Sequence, residues 1–210
     1  MMIMKTDAYI DQIYNRIISE KPQKVFVISD FCDLMDYGTA KKSLSRLESN
    51  NKIQKIMRGV YYNPRYSQLI QEYEKPSVDE VAKAIARNFK WTIAPSGNTA
   101  LNQLGLSTQV PAKWIYFSDG PYKTYKIGIQ ELEFKHRTNK EISGMSEKTI
   151  LVIQALKELG EEQITESVIQ KLKRQLTDEE KLKLLNETKQ TTVWIFNIIK
   201  KIAQEGEANV

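Results

Sequence analysis

The segment GTAKKSLSRLESNNKIQKIMRGVYYNP, residues 38–64, constrains the fold more than any other stretch, because a helical period gives way within it to a strand pattern. Turning 100° per residue from Ala40 puts Ala40, Ser43, Leu44 and Leu47 on one face. Lys42, Ser45, Arg46 and Ser49 lie opposite, with Lys41 and Glu48 on the flank. Thr39 is placed to cap this helix and the polar pair Asn50–Asn51 to end it. Residues 52–64 then read as a β-hairpin that turns near Arg58–Gly59 and closes at Pro64. The stretch holds six bases (Lys41, Lys42, Arg46, Lys52, Lys55, Arg58) and one acid, Glu48, a balance of +5 that equals the formal net charge of the whole 210-residue chain. The basic character is therefore local, and a local positive patch suits a polyanion.

What precedes this segment sharpens the expectation. Thr6 caps a first helix in which Tyr9, Ile10, Ile13, Ile17 and Ile18 recur at helical spacing. Pro22 stops it, KVFVI reads as a short strand, Ser29 or Asp30 caps a short helix DFCDLM, and DYG makes a turn. Helix, short helix, turn, helix, hairpin is the order of a winged helix-turn-helix, here assigned to residues 1–70. In such a unit Lys42, Ser45 and Arg46 face a major groove, where arginine pairs bidentately with guanine. Lys41, Lys55 and Arg58 neutralise phosphates, and Thr39 completes the expected DNA-binding set. Tyr61 and Tyr62 are read as packing against their own domain.

After a boundary at residues 68–76 the character changes, and residues 75–206 form a second domain, making the chain α+β. A capping box from Ser77 to Glu80 opens a helix over VDEVAKAIARNF. WTIAPSG is a strand into a turn, NTALNQLGL a short helix, and KWIYFSD, YKTYKIG and LEFKHR three strands. From Ser146 onward all is helical, ending in one long segment, TDEEKLKLLNETKQTTVWIFNIIKKIAQ. The last helix presents Trp194, Ile195, Phe196, Ile198, Ile199 and Ile202 over more than half its circumference. That face is either buried under the preceding helices or partly used to meet another protein, through Trp194, Ile198 and Ile202.

No apolar run is long enough to span a bilayer, and the start of the chain has no signal-peptide pattern. Cys32 is the only cysteine and His136 the only histidine, so an internal disulfide and a Cys/His zinc site are excluded. A cytoplasmic protein without membrane, metal or cofactor is the expectation. One short pattern points to chemistry: Asp119, then Glu133-Phe-Lys135, the spacing of a metal-dependent nuclease. A plain amphipathic strand produces the same pattern, and no other catalytic set accompanies it.

FVISDFCDL, TAKKSLSRLESNNKIQKIMRGVYYNP, TIAPSGNTALNQLGLS and YFSDGPYKTYKIGIQELEFKHR together resemble the antitoxins of AbiE-type abortive-infection toxin–antitoxin systems. The resemblance covers about residues 10–200 and leans to a branch known only as a domain of unknown function. It implies an N-terminal winged helix that binds double-stranded operator repeats and represses its operon. It also implies a C-terminal domain that neutralises a cognate nucleotidyltransferase toxin without being an enzyme. By this resemblance Lys41, Lys42, Ser45, Arg46 and Arg58 belong to the basic helix and hairpin. A stand-alone transcription factor with a ligand-sensing or dimerising second domain is the alternative reading, and a nuclease using Asp119, Glu133 and Lys135 the third.

Overall fold

The computed structural model describes residues 2–109, 111–138 and 144–204, with side chains from residue 8 onward. The chain is mixed α+β and divides into two compact units, Met1–Trp91 and Thr92–Val210.

The first unit opens with α1 (Met2–Ile18), so Thr6 lies inside the helix rather than at its cap. Ile13 and Ile17, one turn apart, are fully buried. β1 (Val25–Val27) runs directly into a 3-10 turn over Ile28–Phe31. The helix expected over residues 30–35 is thus shorter and earlier. The Asp30 carboxylate accepts the Val27 N–H at 2.9 Å and closes the turn before an α-helix begins.

α2 (Tyr37–Ser49) also starts earlier than expected, because its cap is Asp36 and not Thr39. The Asp36 carboxylate accepts both the Thr39 N–H at 3.0 Å and the Thr39 hydroxyl at 2.6 Å. Ala40, Ser43, Leu44 and Leu47 are buried, as the wheel predicts. The helix ends where Asn51 takes a left-handed φ of 56°, and the Lys52 N–H bonds the Leu47 carbonyl at 2.9 Å.

β2 (Gln54–Met57) and β3 (Val60–Tyr62) form the expected hairpin, with Met57 opposite Val60 and Gly59 at φ 80° in the turn. β3 also pairs with β1, giving the order β1-β3-β2. One face of this sheet, through Phe26 and Tyr61, joins the core of α1 and α2. The other carries Val25, Val27, Val60 and Tyr62, all buried as well. Next come a separate hairpin, β4 (Arg65–Ser67) with β5 (Glu72–Glu74), and α3 (Val78–Phe89), which Ser77 caps through the Glu80 N–H.

α3 packs on β1, β3 and the 3-10 turn. Its Arg87 grips Asp30 bidentately at 2.7 and 2.8 Å and donates to the Val25 carbonyl at 3.1 Å. A boundary at 68–76 would strip this helix from the sheet it covers. The units instead divide between Trp91 and Thr92.

In the second unit β6 (Ile93–Pro95), β7 (Lys113–Ser118), β8 (Lys123–Ile127) and β9 (Gln130–His136) form a sheet of order β6-β7-β9-β8. β9 inserts between the two strands that precede it, parallel to β7 and antiparallel to β8. Trp114, Tyr116, Leu132 and Phe134 share one buried face. α4 (Gly97–Gln103) is fixed to β7 where the Thr99 hydroxyl accepts the Ile115 N–H at 3.0 Å.

α5 (Glu147–Leu159), α6 (Glu166–Gln175), α7 (Asp178–Glu187) and α8 (Val193–Ala203) complete the unit. The long final helix expected from sequence is broken into α7 and α8. Between them the Thr188 hydroxyl bonds back to the Leu184 carbonyl and Thr191 to that of Thr188, each at 2.7 Å. Leu156, Leu172, Leu184, Ile199 and Ile202 are fully buried in the shared helical core.

Candidate nucleic-acid interface

Lys41, Lys42, Ser45 and Arg46 are all exposed on α2, opposite its buried leucines. Lys55 on β2 and Arg58 in the hairpin turn are exposed too, and only residues 50–53 separate helix from hairpin. Within the same unit, several other cations are matched to acids, although Lys75 and Lys90 make no ion pair among the described residues. Arg16 pairs with Asp33 at 2.7 Å, Lys21 with Glu80 at 2.9 Å, Lys24 with Glu20 at 2.6 Å and Arg87 with Asp30 at 2.7 Å. Among the described residues, Lys41, Lys42, Arg46, Lys55 and Arg58 make no ion pair. Lys52 is set apart from them, its ammonium lying over the Tyr14 ring at 5.6 Å.

The start of α2 is shaped by Asp36. The Thr39 hydroxyl, followed by the Thr39 N–H, holds the Asp36 carboxyl below its usual range. Thr39 keeps its place in the first turn, but its hydroxyl proton is committed to that cap. Tyr37, the first residue of the helix, is exposed one turn before Lys41 and carries no signal of that in the sequence. A turn residue ahead of an apolar period carries no outward signal of its own. Tyr61 and Tyr62 are buried, and desolvation raises both phenols above their ordinary pKa. The Tyr62 hydroxyl donates to Gln54, so both tyrosines serve the sheet.

The second unit does not assemble the carboxylates read as a nuclease pattern. In the parallel β7–β9 register Glu133 stands level with Ile115, four residues before Asp119. At about 3.3 Å per residue that is roughly 13 Å along the strands, too far for one Mg²⁺ with ligands at about 2 Å. Asp119 instead accepts the Thr92 N–H at 2.9 Å. Among the described residues no three of His, Cys, Asp and Glu form a group able to hold a metal ion. The proposed partner surface on the last helix is corrected as well. Ile202 is fully buried and Ile198 nearly so in the helical core, with Trp194 packed against them, so this stripe closes the unit's own interior.

The fold and its exposed cations thus define a two-unit α+β protein with a concentrated, unpaired basic helix-and-hairpin surface. The chain belongs to the family described as "Family of unknown function (DUF6088)", which it matches over residues 12–184. No match is found among curated proteins. No helix among the described residues is long and apolar enough to cross a membrane.

Proposed function

We propose that the chain is a double-stranded DNA-binding regulator and that its first unit is a winged helix-turn-helix. In this reading α1, the 3-10 turn and α2 form the helical part, α2 is the recognition helix, and the β2–β3 hairpin is the wing. The carrying observation is that five cations clustered on α2 and the hairpin make no ion pair among the described residues, whereas Arg16, Lys21, Lys24 and Arg87 of the same unit each meet an acid. Lys42 and Arg46, one turn apart, address base edges; Lys41, Lys55 and Arg58 address phosphates. Asp36 does not oppose this, since its charge is bonded to the helix N-terminus it caps.

The sequence resemblance extends the proposal to an antitoxin that represses its own operon and neutralises a nucleotidyltransferase toxin through the second unit. Fluorescence anisotropy with DNA from upstream of its own gene tests the first role. Arg46→Ala weakens specific binding by about 1–3 kcal/mol and relaxes base preference. Arg58→Ala weakens all sequences alike and lowers the salt slope by about 0.9. Wild-type affinity in the variant lacking Lys42, Arg46 and Arg58 together would refute the interface. Rescue of cell growth by residues 92–210 on co-expression with an adjacent nucleotidyltransferase tests the second role, and failure of the full chain to rescue would refute it.

A further inference from the structure

The second unit contains a cavity of about 480 Å³ between the end of the sheet, α5 and the α7–α8 connection. Its volume lies within the roughly 300–1,000 Å³ of small-molecule sites. Two cations line it, Arg137 and Lys157, and among the described residues no acid does. The Arg137 guanidinium lies over the Phe117 ring, 5.0 Å from its centroid, which holds a flexible side chain at the cavity wall. Lys157 makes no ion pair among the described residues.

Ile150 and Ile153 supply an apolar floor, whereas the Gln154 and Gln190 side chains add donors and acceptors suited to a flat polar edge. Thr192 also lines the cavity as the N-cap residue of α8, and its hydroxyl makes no capping bond. The positive end of that helix therefore adds to the field of the two cations.

We infer that this cavity binds a small phosphorylated ligand with a planar, hydrogen-bonding body, of nucleoside-monophosphate size. The phosphate meets Lys157 and Arg137, and the body lies on the isoleucine floor within reach of the glutamine amides. This inference stands on the second unit alone and is independent of DNA binding by the first. Isothermal titration of the full chain with adenosine, guanosine, cytidine and uridine 5′-monophosphates tests it, with inorganic phosphate and the nucleosides as separate arms. At least one nucleotide binds saturably with one-to-one stoichiometry. It binds about ten-fold or more tighter than inorganic phosphate or its own nucleoside. Lys157→Glu, an exposed position that leaves the fold intact by circular dichroism, weakens that nucleotide by about ten-fold or more, and Arg137→Lys weakens it less. Absence of binding by all four nucleotides would overturn the site. Equal binding of phosphate and nucleotide would overturn the role of the body. An undiminished affinity in folded Lys157→Glu would overturn the placement of the phosphate.

Discussion

Cutting the chain at residue 70 removes α3 and uncovers the sheet face formed by Val25, Val27 and Val60, which are 2%, 2% and 5% exposed in the intact chain. A valine side chain contributes about 1.5–3 kcal/mol when fully buried, so three contribute about 4–9 kcal/mol, an upper figure because unfolded chains already bury some surface. The same cut removes Arg87 from Asp30, a charge-assisted bidentate contact. A small domain has about 5–15 kcal/mol in total, and one of 70 residues lies near the lower end. Residues 1–70 therefore lack a stable fold, whereas residues 1–91 keep the sheet covered and melt cooperatively. Far-UV circular dichroism and amide chemical-shift dispersion distinguish the two fragments, and DNA anisotropy follows the same division. A 1–70 fragment that melts cooperatively within a few degrees of the 1–91 fragment would refute the claim that α3 completes the first unit.

Arg87→Ala in the 1–91 fragment costs about 1–2 kcal/mol in urea denaturation, a figure discounted because the arginine side chain is 46% exposed, and Arg87→Lys restores only part of it. Asp36→Asn tests the α2 cap through pH. The folded carboxyl titrates below its unfolded value, so its contribution is fully present above an unfolded pKa of about 3.9 and is lost as pH falls through the folded value. The difference in Tm between wild type and Asp36→Asn is therefore constant from neutral pH to about pH 5 and shrinks in stronger acid. A difference unchanged down to the acid limit of the fold would sink this reading. Gly97→Ala places a Cβ 2.5 Å from the Glu158 Cβ and destabilises the second unit by about 1–3 kcal/mol in calorimetry. Pairing Gly97→Ala with Glu158→Ala recovers part of that loss.

Much of α2 was legible because its buried and exposed positions follow one helical period, with Leu44 and Leu47 inside and Lys42 and Arg46 outside. Its start was not, since Asp36 and Thr39 are both capping residues three positions apart. The winner is the one whose carboxylate takes two hydrogen bonds at once. The place of α3 also has a signal in the sequence. VFV and VYY do not alternate apolar and polar residues, and such strands are buried on both faces. A three-stranded sheet with helices α1 and α2 on one face then needs a second cover, and the next amphipathic segment is α3. The wide apolar stripe on α8 likewise marks a buried helix more than a surface. The cavity beside it was beyond sequence reading, because Phe117, Arg137, Lys157 and Thr192 come from four separate places in the chain.

The charge pattern of the first unit gains its meaning from that same packing. Acids are available there: Asp33, Glu80, Glu20 and Asp30 each meet a cation from 4 to 59 residues away. Three of these four pairs join residues distant in sequence, Arg87 of α3 with Asp30 of the 3-10 turn among them. On α2 and the hairpin Glu48 is the only acid within 27 residues that carry six bases, and it makes no ion pair among the described residues. Like charges held on one rigid helix and its adjoining turn repel one another, at a cost that grows as salt falls. A bound polyanion removes that cost and releases its own counterions in the same step. Stability and affinity are then coupled with opposite sign: replacing Lys42 and Arg46 by glutamine raises the melting temperature of the free protein at low salt while it weakens DNA binding. A double variant that loses DNA binding and also melts lower would mean that these side chains support the fold, and the case for a dedicated DNA surface would fail.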